Sequence, residues 1–298
     1  MTKKIKNISA SVNERLRNIA IQSEKEINNL ARQYVQERFL YRLSESEYAN
    51  NFILKGALLF LAYNIDRSRP TRDIDFLGSS VSNNKDEIAK IVKQILQIDF
   101  EDGVRFDSDE LESEDIVEDG DYHGVRIKFF AYIGNAKERV QIDICFGDKL
   151  TSGPVHIEFP TLLDFPAPKL NVYSVESAIA EKFEAIVSLQ LQTSRMKDFY
   201  DILLFAGKYK FKKNSLNESL LATFKNRKAE LSLRLKIYED KFKKDLQLQK
   251  YWTAFLNRNN LTAETNFATV IDKIKSFIEP VITENKSNTW NFTDWKWQ

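Results

Sequence analysis

Asp73 and Asp75 stand two residues apart in a short apolar setting of Ile74, Phe76 and Leu77. On a strand, where successive side chains alternate faces, both carboxylates project from one side. Such a pair repels itself and resists desolvation until a cation neutralises it, and a hard ion such as Mg²⁺ or Mn²⁺ takes oxygen ligands shared between carboxylates and substrate phosphates. The pair therefore points to metal-assisted chemistry on a phosphate; the plainer alternative is a strand end carrying two solvated aspartates. Upstream, Lys55-Gly56-Ala57 opens the apolar run Leu58 to Ala62, which reads as a buried helix with the glycine near its N-terminus. Unpaired N–H groups at such an end attract anions, and a residue without a Cβ lets a triphosphate come close. Lys55, Arg69 and Arg72 add positive charge that offsets a polyphosphate beside two aspartates.

Two later segments carry further candidates. Arg139 to Phe146 alternates, with Val140, Ile142, Ile144 and Phe146 on one parity and Gln141, Asp143 and Cys145 on the other. Asp143 is thus a third carboxylate on a strand, unless it simply faces solvent. Glu176 to Ala185 and Arg195 to Ile202 read as two amphipathic helices on which Glu181, Lys182, Lys197, Asp198 and Asp201 lie beside apolar faces. On composition alone these are exposed pairs three and four residues apart.

Together these stretches resemble a known family, the nucleotidyltransferases of the AbiEii/AbiGii toxin group within the polymerase-β-like superfamily. Leu54-Lys55-Gly56-Ala57 with Arg69-Pro70-Thr71-Arg72-Asp73-Ile74-Asp75 is similar to that family's first motif, and Ala180-Glu181-Lys182 with Lys197-Asp198-Phe199-Tyr200-Asp201 to its later ones. The resemblance implies that Asp73 and Asp75 are metal ligands, and that Asp143 completes the metal set or helps deprotonate the attacking hydroxyl. Lys55, Gly56, Ala57 and Arg72 would line the phosphates, Lys182 would hold the triphosphate, and Asp198 would orient that lysine or contact the base or ribose. Lys197 and Asp201 are secondary candidates. The superfamily commonly has Gly-Ser where this chain has Gly56-Ala57, so one hydroxyl contact to phosphate is missing while the backbone amides remain.

The implied fold is α+β: a polymerase-β-like nucleotidyltransferase core with a small mixed sheet, followed by a mainly helical C-terminal domain. The implied reaction moves a nucleoside monophosphate from an NTP to an acceptor hydroxyl, with Mg²⁺ or Mn²⁺ as cofactor and the 3′ end of tRNA, or another RNA, as an acceptor. The protein would be the toxin of a type IV toxin–antitoxin or abortive-infection system with a separately encoded antitoxin. Two other readings stay open: a small-molecule, antibiotic-type nucleotidyltransferase with an acid-lined acceptor pocket, and a catalytically inactive nucleotide-binding or interaction protein.

The elements that position these residues can be laid out along the chain. Ile8 to Leu43 has helical periodicity without glycine or proline, giving one or two lead-in helices. The first-motif helix, the Asp73 strand, a helix near Glu87 to Leu96, and strands near Asp115, at Val125 to Tyr132 and at Arg139 to Phe146 follow. Pro154, Pro160, Pro166 and Pro168 punctuate a connector carrying the short strand Val155 to Phe159, after which helices run to about Pro280. The expected division is 1–165, lead-in helices and nucleotidyltransferase core, and 166–298, helical domain.

Charge is nearly balanced overall at +1, yet Asp99 to Asp121 holds twelve acids against Arg105 alone, and Lys208 to Lys250 thirteen Lys and Arg against five acids. The first stretch reads as a solvated hairpin or loop, the second as helices with a basic side suited to a polyanion or merely solvated. Trp290, Trp295 and Trp297 are expected to dock onto the body or a partner. A single cysteine, Cys145, rules out an internal disulfide framework, and with two histidines it argues against zinc. The run Leu58 to Tyr63 is far below bilayer length and no signal peptide opens the chain, so a soluble cytoplasmic protein without membrane contact is expected.

Overall fold

The computed structural model describes residues 7–65, 71–118, 122–151, 153–283 and 287–298. The chain folds into two compact units, one comprising the residues up to Gly147 together with Pro154–Val172, the other Asp148–Gly153 together with Tyr173–Gln298.

The first unit is built on a mixed seven-stranded sheet in the order β3-β4-β5-β2-β1-β7-β6. Its strands are β1 (Phe52–Lys55), β2 (Asp73–Gly78), β3 (Val104–Glu118), β4 (Tyr122–Ile133), β5 (Ala136–Phe146), β6 (Val155–Glu158) and β7 (Lys169–Val172). Its helices are α1 (Ile8–Ser23), α2 (Ile27–Ser44), the single turn α3 (Leu59–Ala62) and α4 (Lys85–Leu96). Helix α1 starts where the Asn7 side chain accepts from Ala10 N, and α4 where Asn84 accepts from Asp86 and Glu87. One sheet face is apolar: Ile74, Phe76, Ile142, Ile144, Val125, Ile127 and Phe129 are all buried. Phe39 of α2 packs on Phe106 and Phe129 there.

Helix α2 is more deeply set than its periodicity suggests, being buried on every side from Tyr34 to Leu43. It carries its polar groups inside with partners. Arg42 binds Asp102 at 2.7 Å, Arg38 binds Glu37 at 2.8 Å and the Pro166 carbonyl, and Glu37 accepts from Leu162 N. Burial pushes the Glu37 carboxyl up to about 7, against the pull of Arg38. Gln36 donates to the Thr71 and Arg72 carbonyls, so the same helix fixes the backbone that enters β2.

One expectation changes. The run after Gly56 is no ordinary helix: Phe52–Lys55 is a strand, Gly56–Leu58 a 3₁₀ turn and only Leu59–Ala62 α-helical. Phe52 and Ile53 continue the sheet core, an assignment that short apolar runs leave ambiguous. Of the two forms open to the acidic stretch, hairpin or loop, the structure gives the paired one: most of it is β3, an edge strand of fifteen residues antiparallel to β4. Cations across the sheet make this possible, with Lys128 at 2.6 Å from Glu114 and Arg139 at 3.4 Å from Glu112. An acidic edge also discourages pairing with another chain.

The second unit holds α5 (Val175–Leu189), α6 (Met196–Ala206), α7 (Lys213–Asn226), α8 (Arg234–Ile237), α9 (Asp240–Lys243), α10 (Leu246–Arg258), α11 (Phe267–Ile282) and a small hairpin of β8 (Trp290–Asn291) and β9 (Lys296–Trp297). Ser174 caps α5 by accepting from Ser177 N. The tail docks as expected on its own unit: Trp290 is fully buried with its indole N–H on the Ala206 carbonyl, and Trp297 stacks on Phe277. Several cations of the basic stretch are spent internally, Arg234 on Glu279, Lys243 on Asp272 and Lys244 on Asp240.

Candidate active site

Strand β2 presents Asp73 and Asp75, both half-buried, on the sheet face opposite Ile74 and Phe76. Beside it β5 runs parallel in a register that sets Asp73 against Gln141, Asp75 against Asp143 and Leu77 against Cys145. The three aspartates therefore share one face of two neighbouring strands. On the other side of β2, Lys55 of β1 stands in register with Asp75, and on the far side of β5, Arg126 of β4 stands in register with Asp143. One transverse row thus reads Lys55, Asp75, Asp143, Arg126, and ends at Glu114 on β3.

Side-chain contacts refine the row. Arg126 grips Asp143 with a two-pronged fork, Nε to Oδ1 and Nη2 to Oδ2, each 2.8 Å, and Gln141 Nε2 lies 3.2 Å from both oxygens. The hydrogen bond to Asp143 holds the Arg126 guanidinium protonated well above its ordinary range. Lys55 Nζ lies 3.1 Å from Cys145 Sγ. Gly56 has φ +69°, a conformation L side chains rarely adopt, and a Cβ there would overlap the Asp75 carboxylate. Glycine is required because the turn at Gly56 and the Asp75 side chain touch. Ala57 is buried behind it, Arg72 is exposed just before β2, and Arg69 lies outside the described residues.

A second cluster forms in the helical unit. Lys182 of α5 reaches Asp201 at 2.8 Å and Asp198 at 3.3 Å on α6, and Arg195 binds Asp198 at 2.6 Å. Burial disfavours the charge on Asp198, but Lys182 and Arg195 outweigh it and hold the carboxyl below its ordinary range. These are not exposed surface pairs, since Asp198 and Asp201 are fully buried. Lys197 is exposed, and its charge adds to those holding the Asp198 carboxyl down. Glu181 belongs elsewhere: with Glu184 and Asp148 it surrounds Arg227 at 3.6, 2.9 and 3.5 Å.

A model of the nucleotidyl transferase AbiEii toxin family, of type IV toxin–antitoxin systems, matches residues 38–273. The chain belongs to this family. As an AbiEii member it is a nucleotidyltransferase, and its matched span includes both clusters. Two solved structures from Helicobacter pylori share its α+β fold: JHP933, at 14% identity with TM-score 0.51, covering 86% of this chain and 93% of that one, and a candidate nucleotidyltransferase, at 14% and 0.50, covering 86% and 99%. No curated protein matches the sequence. Among the described residues, no helix is long and apolar enough to cross a membrane.

The family implies a divalent metal, and the donors here fit one in kind: hard carboxylate oxygens, two on one pleat face and a third in register beside them. They do not yet form a finished set. Among the described residues no three His, Cys, Asp or Glu side chains converge to hold an ion, and Asp143 is turned to Arg126. The motifs did not single out Arg126, Gln141 or Arg195. For Arg126 a signal existed: the two-residue turn at Gly134-Asn135 pairs Ile133 with Ala136, and counting back along both strands pairs Arg126 with Asp143.

Proposed function

We propose that this AbiEii nucleotidyltransferase is metal-dependent and joins a nucleoside monophosphate to an RNA hydroxyl, with the 3′ end of tRNA as the acceptor tested first and a separately encoded antitoxin as its regulator. The observation that carries the reading is the register of Asp75 with Asp143 on adjacent parallel strands, with Asp73 one pleat along the same face. In the reaction an oxygen of the acceptor bonds to the α-phosphorus, the bond to the β-phosphate oxygen breaks, pyrophosphate leaves and the hydroxyl proton passes to a base. A bound Mg²⁺ or Mn²⁺ supplies charge neutralisation on the phosphates and activation of the attacking oxygen.

The chain's own residues do the positioning. Asp73 and Asp75 would hold the ion, and Gln36 keeps the backbone entering β2 in place. Gly56 gives the turn that seats backbone amides and the Asp75 carboxylate side by side. Ala57 contributes no hydroxyl, so the backbone carries the phosphate contact. On the resemblance, Lys182 takes the β and γ phosphates and Asp198 orients it; the 3.3 Å contact between them supports that division of labour. Exposed lysines of the second unit such as Lys225 and Lys236 give sequence-independent attraction for RNA phosphates.

The test is purified protein with Mg²⁺, each α-³²P-labelled NTP in turn and total tRNA, beside Asp75→Ala. Label on RNA that the variant loses is the expected outcome. Label on a small molecule instead would move the acceptor to the antibiotic-type reading. No transfer to any acceptor, with no metal-dependent NTP binding, would leave an inactive binding protein.

A further inference from the structure

The Arg126 fork leaves the third carboxylate in an unusual position. An ionised carboxylate offers about four lone-pair sites. On Asp143, Arg126 takes one on each oxygen at 2.8 Å, and Gln141 sits 3.2 Å from both. Asp143 cannot ligate an ion as well without giving up one of these bonds. The side chain of Asp143 is only 10% exposed, whereas that of Arg126 is 31% exposed and also lies 3.7 Å from Glu114 on β3. The guanidinium therefore has a second carboxylate and solvent to move towards, while the aspartate stays where it is. The arrangement is built in rather than incidental, because the Gly134-Asn135 turn fixes the β4–β5 register.

We propose that Arg126 is a positioning residue that competes with a divalent cation for Asp143. The ion is captured first on Asp73 and Asp75, and Asp143 joins only when Arg126 releases it towards Glu114. Arg126 thereby keeps three neighbouring carboxylates from repelling one another without metal, and sets the divalent concentration needed to complete the site. This rests on the proposed function in one respect, that Asp73 and Asp75 are the metal pair.

The experiment is Mn²⁺ titration of the full chain without nucleotide, reading free Mn²⁺ by electron paramagnetic resonance, with a thermal melt of every variant. Arg126→Gln should bind Mn²⁺ tighter by about tenfold, the worth of one charge-assisted hydrogen bond that no longer has to break. Arg126→Lys, which keeps the charge but has no fork, should fall between, and it carries the test if the glutamine variant fails to fold. Asp143→Asn alone should stay within about twofold of wild type, because that carboxylate is not in the first ligand set. The double variant Arg126→Gln/Asp143→Asn should lose the gain. A merely structural arginine gives the opposite sign, weaker binding with a lower melt. Unchanged or weaker binding in both Arg126 variants overturns the proposal, as does Asp143→Asn weakening binding as much as Asp75→Asn. If wild type binds and Asp75→Asn does not, the metal pair stands whatever Arg126 does. Binding by no variant at all removes both.

Discussion

The sheet face around Asp75 and the helix pair around Asp198 use the same residue types in opposite senses. On the sheet, Asp73 and Asp75 are half-buried and presented outward, with Lys55 and Arg126 standing in the flanking strands. On the helices Asp198 and Asp201 are fully buried, while Lys182 and Arg195 are 14% and 39% exposed in their side chains. On the sheet Asp73 and Asp75 stay half-buried beside cations, whereas on the helices the acids are fully buried and only the cations keep contact with solvent. Strand geometry accounts for the first, because a short aspartate is lifted straight off the pleat. Long stems account for the second, since lysine and arginine reach out from a buried anchor while aspartate cannot.

The contrast breaks if substitutions on the two sides behave alike. Asp75→Ala should reduce nucleotide transfer on the order of a thousandfold or more, since metal charge stabilisation is worth several kcal/mol. It should shift the urea midpoint far less than it shifts activity, because Asp75 is half-buried. Asp198→Ala should instead cost about 1–3 kcal/mol in urea unfolding, as it removes the partner of Arg195 and leaves a buried void while Lys182 keeps Asp201. Loss of stability in Asp75→Ala and none in Asp198→Ala would reverse the assignment.

Gly56→Ala sharpens the acid side. The methyl would displace the Asp75 carboxylate and press on the Asp75 Cβ, adding to a left-handed backbone cost of about 1–2 kcal/mol, so activity should fall towards that of Asp75→Ala with a lower urea midpoint than wild type. Lys182→Met sharpens the cation side: it should raise the KM for NTP by about tenfold, one charge-assisted bond's worth, without altering Mn²⁺ affinity.

The smallest effect is a pair of opposed pH slopes. Asp198 has a folded pKa below its ordinary 3.8, so its contribution is full above that value and lost as pH falls through and below it. Glu37, in the sheet unit, has its folded value raised from 4.5 to about 7, so its contribution is full below 4.5 and is lost as pH rises through about 7. Melting temperature measured against pH should therefore lose an acid-side slope in Asp198→Asn and a slope between 4.5 and 7 in Glu37→Gln.

Much of the site could be read in the chain itself. Asp73 and Asp75 declare themselves by spacing, Asp143 by its place in an alternating strand, and Lys182 with Asp198 by a helical pattern that resembles a family motif. Arg126 was within reach through the Gly134-Asn135 turn, because a tight hairpin makes register a local property. β1 and β7 were not, as four-residue segments carry too little period to be told from helix or loop, and of β3 only the part near Asp115 was legible, because its other acids look solvated until the cations of β4 and β5 are set across from them.

What the sequence determined by itself is the inventory and its local spacing: which carboxylates share a pleat, where glycine must sit, which helices bear lysine and aspartate on one side. Tertiary structure alone decided that Asp75 lies beside Asp143, through a parallel pairing of strands some seventy residues apart in sequence, and that Asp198 and Asp201 are buried supports rather than surface charges. The reason is one of range. Dihedral preferences and periodicity act over a few residues, whereas strand order and burial are set by the whole core at once, and it is those that turn separate acids and cations into a site.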